Sequence, residues 1–185
     1  MEVDSTLNLN SHFDRTYKKA TGRLKLLSKL RVQLDEKSSK AIYNTMIVPT
    51  LTYNCSLQGP LSEQRRCKLN SLVRRAKSII QDGNTTKNIV LPSLENETKR
   101  RNCIFVRKCL DGNICDEFVN YFNPIVHEIE TRNKSFLLRL PQMRTEYGKR
   151  SVFYNGAKVY NELPTNIRKE KDFKIFKEKV SSFYK

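Results

Sequence analysis

The sequence of 185 residues contains little glycine, little proline and no long apolar run, and each shortage excludes a class of protein. Six glycines and six prolines are too few for a low-complexity linker protein. The longest apolar runs, such as residues 104–106, are far shorter than the roughly 18 residues of a transmembrane helix. Residues 1–5 are acidic and polar, which is not typical of a signal peptide. We therefore expect an intracellular protein, nuclear or cytoplasmic, with no membrane partner.

The motifs of metal, cofactor and nucleotidyl-transfer sites are also missing from the sequence. There is no glycine-rich phosphate loop, and the five cysteines show no Cys-x-x-Cys spacing, so we expect reduced thiols. His12 and His127 have no partner at metal-ligand spacing, and we expect His12 to cap the first helix or to face solvent. No Asp-Asp dipeptide occurs, although two-metal nucleotidyl transfer needs converging carboxylates. We expect no metal site, no cofactor and no catalysis by this chain alone.

Positive charge is what the sequence has in excess. It holds 35 lysines and arginines against 19 aspartates and glutamates, a net charge of +16. Residues 131–185 alone hold 14 basic against 5 acidic residues. Such an excess favours partners rich in phosphate or carboxylate, and nucleic acid is the first interpretation. An acidic protein partner, or a decayed chain with no retained partner, are the alternatives.

The spacing of apolar residues predicts a mainly α-helical fold. Nine phenylalanines and eight tyrosines are enough to build a core. The predicted helices are residues 11–30, 38–47 with Ser38 as cap, 62–80, 93–110, a short one around 118–122, 151–161 and 172–184, with a short strand at 135–140. We divide the chain into a helical bundle (1–81), a helical connector (82–130) and a basic C-terminal module (131–185), with minor β structure in the last. Pro49 should end or kink the second helix.

The first helix carries the clearest pair of opposed faces. Its apolar positions, such as Phe13, Ala20 and Leu24, follow helical spacing and should pack into the core. Its basic positions on the other side are Arg15, Lys18, Lys25 and Lys29. Aromatic residues lie among the basic ones along the chain, and one or two of them could stack on bases: Tyr17, Tyr147, Phe153, Tyr154 and Tyr160.

The order of several segments resembles the region that follows the palm in non-LTR (LINE-like, jockey-type) retrotransposon reverse transcriptases. Residues 7–31 and the Pro-x-Leu-x-Tyr segment at 49–53 match its early part. The closing part is the most similar, with Tyr147-Gly148-Lys149-Arg150-Ser151, Asn155-Gly156-Ala157, and Tyr160-Asn161-Glu162-Leu163-Pro164 in the family's order. Tyr160 stands where the family usually has tryptophan, so we expect a structural role for it.

This resemblance implies a thumb and C-terminal region without fingers and palm. The family's Ala-Asp-Asp turn is absent, so the resemblance implies no RNA-directed DNA polymerase activity for this chain in isolation. In the family the thumb holds the template–primer duplex by its backbone, which implies a thumb-like three-helix bundle with RNA or DNA as partner through phosphate contacts. The implied contacts are Arg15, Lys18, Lys25 and Lys29, with Arg74, Arg75, Lys149 and Arg150 as secondary candidates.

Overall fold

The computed structural model describes residues 9–53, 62–81, 90–114, 116–125 and 136–184, and this part of the chain is mainly helical, as predicted. The helices are α1 (Asn10–Leu30), continued by a 3-10 turn (Arg31–Gln33), α2 (Glu36–Ile42), continued by a π-helical turn (Tyr43–Ile47), α3 (Val48–Leu51), α4 (Glu63–Ile80), α5 (Leu94–Leu110), α6 (Asp116–Val119), α7 (Glu146–Arg150), α8 (Val152–Asn161), α9 (Thr165–Arg168) and α10 (Phe173–Phe183). Within these ranges, no helix is both long and apolar enough to span a bilayer.

Most predicted helix starts are confirmed, and the caps of α2 and α1 differ from this pattern. Ser62 and Ser151 cap α4 and α8 by accepting hydrogen bonds from backbone N–H groups in the first turn. For α2, Asp35 rather than Ser38 is the cap, because its carboxylate accepts the Ser38 N–H and α2 thus begins earlier. For α1, the residue before the helix is Leu9 in a left-handed conformation, and no side chain caps the helix.

The described residues form two compact units, the first made of 9–53, 62–81 and 90–94 and the second of 95–114, 116–125 and 136–184. Each unit has its own hydrophobic core. The sequence suggested a connector at 82–130, but the described residues from 95 onward in that segment belong to the second unit. The reason is the apolar side of α5, which packs with residues far along the chain.

The first unit is a bundle of three helical segments, in which α1 and α4 run parallel. Near their starts, Lys68 pairs with Asp14 at 3.2 Å, and near their ends Arg31 donates to the Ile80 carbonyl at 3.3 Å. The segment from α2 to α3 runs in the opposite direction to α1, from the end of α1 back towards its start. Arg23 in the middle of α1 donates to the carbonyl of Met46 in this segment. The fully buried side chains of this core include Leu24, Leu27, Tyr43, Ile47, Leu72 and Ile80.

Pro49 does not end the second helical segment, contrary to one of the two predicted outcomes. A proline inside a helix lacks an N–H donor, and its ring collides with the carbonyl four residues earlier. The turn just before Pro49 is π-helical, and the Val48 N–H reaches back five residues to the Tyr43 carbonyl. The widened turn lets the chain continue as α3, which places Pro49 and Thr50 beside α1.

The second unit is built around α5. Its core includes Cys103 and Val106 of α5, Tyr160 of α8 and Phe176 of α10. Tyr160 is 2% exposed, its ring centroid lies 6.2 Å from that of Phe176, and burial raises its pKa. This agrees with the structural role expected for Tyr160.

The strand predicted at 135–140 is reduced, in its described residues, to one antiparallel bridge between Leu138 and Pro124. The bridge is closed by the Ile125 N–H, which donates to the Leu137 carbonyl at 2.7 Å, and by the Arg139 N–H, which donates to the Asn123 carbonyl at 2.8 Å. On the other side, Asn161 donates to the Leu138 carbonyl at 2.9 Å and accepts the Leu138 N–H at 2.8 Å. Because the Asn161 side chain of α8 already bonds to the backbone N–H and carbonyl of Leu138, no second strand pairs with Leu138 on that side in the described structure.

Burial should divide the cysteine thiols into reactive and inert groups. Burial raises the pKa of Cys103 to about 12 and that of Cys109 to about 11, whereas Cys67 is exposed on α4. Since the thiolate is the nucleophile, we predict that iodoacetamide near neutral pH modifies Cys67 in the folded chain and modifies Cys103 and Cys109 only after unfolding. Peptide mapping by mass spectrometry checks this. Equal labelling of Cys67 and Cys103 in the folded chain would contradict the described core.

Candidate functional site

The predicted basic face of α1 is confirmed as an exposed face. Arg15, Lys18, Lys25 and Lys29 are all exposed, and we call these four residues the basic stripe. The buried residues of α1 lie on the other side and include Phe13, Ala20, Leu24 and Leu27. The helix therefore uses one face for the core and presents positive charge on the other.

Three of the four charges of the basic stripe have no compensating partner among the described residues. α1 contains six lysines and arginines, and its one acidic residue, Asp14, pairs with Lys68 of α4. Among the described residues, none forms a hydrogen bond or ion pair with Lys18, Lys25 or Lys29. Three ammonium groups on one exposed helix face are thus free to bind an external anion.

Gly22 lies on the same exposed face, between Lys18 and Lys25. A Cβ atom at this position would meet nothing within 4 Å, so packing does not require glycine. Glycine inside a helix costs about 0.8–1 kcal/mol relative to alanine. Its effect on shape is a shallow notch in the middle of the basic stripe.

A groove of about 450 Å³ lies beside the basic stripe, between α1 and the end of the α3 segment. Arg15 belongs to both the basic stripe and this groove. The other lining residues are His12, Thr16, Lys19 and Arg23 of α1, with Pro49, Thr50 and Tyr53 opposite. No role was expected from the sequence for Lys19, Arg23 or Tyr53. The spacing of four residues between Arg15, Lys19 and Arg23 was a signal for the α1 wall of the groove, whereas the opposing wall, which includes Tyr53, depends on tertiary packing.

Arg23 is held in place by the wall of the groove. Its Nη1 donates to the Met46 carbonyl at 2.6 Å and also to Thr50 Oγ1. Within the described part of the chain, its Nε and Nη2 groups have no partner. This edge of a guanidinium is the one that binds two oxygens of a phosphate or carboxylate side by side. Lys19 is exposed and likewise has no described partner.

His12 is buried, which corrects the expectation that it caps α1 or faces solvent. It is only 5% exposed, and its Nε2 atom has no hydrogen-bond partner among the described residues. Its ring centroid lies 6.2 Å from that of Tyr53, which is 56% exposed. The position of His12 follows from the α3 segment, which ends against the first turns of α1.

The other four predicted contacts are not part of the basic stripe. Arg74 and Arg75 are exposed on α4, and in the described structure no contact links them to it. Lys149 and Arg150 lie at the end of α7, in the second unit. Lys149 pairs with Glu146 at 2.7 Å, and this hydrogen bond raises the pKa of Lys149. Part of the charge at α7 is therefore compensated locally.

Most of the aromatic residues singled out in the sequence have structural partners. Tyr17 stacks on Phe13 with centroids 6.1 Å apart and packs against the first core. Phe153 stacks on Tyr121 with centroids 4.1 Å apart, and Tyr160 is buried. Tyr154 is half-buried, and the side chain of Tyr147 lies outside the described residues. The exposed Tyr53 is a better-placed surface for stacking than any of these.

No group of three or more histidine, cysteine or acidic side chains suited to a metal ion is found in the described ranges, and His127 and Cys115 lie outside them.

Comparisons with protein-family profiles, with curated proteins and with solved structures found no match.

Proposed function

We propose that this chain binds RNA, DNA or their hybrid through backbone phosphates, without sequence specificity, at the basic stripe. The observation that carries the proposal is the row of exposed cations on α1, three of which have no partner in the described structure. Lysine and arginine side chains that contact phosphates release condensed counterions, and this release supplies most of the free energy of non-specific binding.

The geometry of α1 suits a phosphate backbone better than a base edge. The stripe residues recur at spacings of three, four and seven along 21 helical residues, so they form a continuous line. Non-specific binding needs such a line of charge, whereas sequence reading needs side chains aimed into a groove. The notch at Gly22 leaves the middle of the line unobstructed.

The resemblance to non-LTR retrotransposon reverse transcriptases gives this proposal a biological setting. We propose that the chain corresponds to the thumb and C-terminal region of such an RNA-directed DNA polymerase and acts by holding a template–primer duplex in the nucleus or cytoplasm. Without the family's Asp-Asp turn, the chain would bind the duplex without catalysing synthesis.

A salt titration tests the proposal. With four phosphate contacts, the logarithm of the binding constant for a labelled blunt duplex should fall with the logarithm of salt concentration at a slope of about −3. Fluorescence anisotropy measures this slope. Tight binding with a flat salt response would contradict phosphate contacts at the basic stripe. A slope that is the same for duplexes of unrelated sequence would support non-specific binding.

A further inference from the structure

We propose that the groove between α1 and α3 takes one unpaired nucleotide at the end of a strand, with its phosphate on Lys19 and Arg23 and its base on Tyr53. This inference rests on the proposed function, because it assumes that the rest of the nucleic acid lies on the basic stripe. It assigns the groove a ligand that differs from the duplex backbone.

The phosphate end of the groove is defined by two cations with different geometry. Arg23 is fixed by its Nη1 bonds to Met46 and Thr50, and its Nε–Nη2 edge can donate two parallel hydrogen bonds. Lys19 lies one helical turn before Arg23 on the same line and adds a second, mobile charge. A phosphate that carries only one ester bond has three oxygens to share between them, which favours a strand end.

The base end of the groove is apolar and aromatic. Tyr53 is more than half exposed, and Pro49 lies in the same wall. An exposed aromatic ring can stack on any base, because every base has a π face. The volume of about 450 Å³ lies within the usual range of small-ligand pockets, about 300–1,000 Å³.

The groove and the basic stripe share Arg15, so both can bind parts of one molecule. A duplex along the stripe would bring its strand end to the groove at this shared residue. An unpaired nucleotide can reach Tyr53, whereas a base inside a duplex is already stacked on its neighbours. The groove would therefore distinguish a duplex with an unpaired, 5′-phosphorylated end from a blunt one.

The test compares two labelled duplexes, one blunt and one with a single unpaired, 5′-phosphorylated nucleotide, by anisotropy with the full chain. We expect about tenfold tighter binding of the second, the effect of one base stacked on an aromatic ring. Tyr53→Ala should remove this preference, and Tyr53→Phe should keep it. Lys19→Gln should also reduce the preference, whereas the adjacent Lys18→Gln should weaken binding of both duplexes and leave their ratio unchanged.

The outcomes separate the groove from the basic stripe. Equal affinity of the wild-type chain for both duplexes, with the salt response intact, overturns the groove assignment and leaves the proposed function standing. A preference that survives Tyr53→Ala overturns it as well. A titration with adenosine 5′-monophosphate, followed by NMR, provides a further arm. Binding of this mononucleotide that depends on Tyr53, without any duplex binding, overturns the proposed function and replaces the strand end with a free nucleotide.

Discussion

Replacing both Lys18 and Lys25 by glutamate will abolish measurable binding of nucleic acid while the helical fold is retained. Both side chains are exposed, on the face of α1 opposite the core, and have no described partner. The change removes two phosphate contacts and adds two repulsive charges in the middle of the basic stripe. We expect the affinity for duplex at low salt to fall by about 100-fold or more, because the electrostatic contribution dominates non-specific binding.

The matched control for this variant is the pair Lys174→Glu and Lys177→Glu on α10. Both control positions are exposed, and the two double variants change the net charge by the same amount. Anisotropy gives the affinities, and circular dichroism checks the helical content. Equal losses in both double variants would show that only total charge matters and would contradict the assignment to the basic stripe. Unchanged duplex binding together with loss of an acidic protein partner would favour the alternative function.

Replacing Arg107 by methionine will destabilise the second unit by about 3 kcal/mol, because several charge-assisted hydrogen bonds are lost together. Arg107 is only 8% exposed. It pairs with Asp111 at 2.8 Å, donates to the Lys171 carbonyl at 2.9 Å and also to the Glu170 carbonyl. Its guanidinium lies 5.1 Å from the centroid of the Phe176 ring. Methionine fills a similar volume but leaves these partners without a donor.

The control for Arg107 is its neighbour Lys108, which is exposed on the same helix. Lys108→Met should change the stability by less than about 0.5 kcal/mol. Urea unfolding measures the free energies, and hydrogen exchange tells which unit is affected. We expect faster exchange of amides in α10 and unchanged exchange in α1. A stability of Arg107→Met equal to that of the wild type would mean that the carbonyls of residues 170 and 171 find other donors.

Features set by neighbouring residues could be predicted from the sequence. The helix start at Ser62 could be found because a cap bonds to N–H groups within one turn, whereas at α2 the nearby Asp35 caps the helix instead of the predicted Ser38. The basic stripe follows from helical periodicity alone, because once residues 11–30 form a helix, Lys18 and Lys25 are placed away from the apolar face of that helix.

Features set by distant contacts could not be predicted. The burial of His12 and the groove beside it depend on where α3 ends, which in turn depends on the π-helical turn before Pro49. The place of α5 depends on partners such as Val159 and Phe176, more than 50 residues away. A pattern of apolar residues shows that a helix has a buried face but does not show which helix covers it.

The distance along the chain between the partners in each unit has a consequence for the order of folding during synthesis. The contacts of the first unit lie within the first 94 residues, so this bundle can form while later residues are still being made. In the second unit, Arg100 reaches Ser181 and Arg107 reaches Lys171. The partners that cover the apolar side of α5 are therefore synthesised about 70 residues after it, and this side stays uncovered until then. A chain stopped near residue 150 would leave the apolar side of α5 exposed to aggregation and proteolysis.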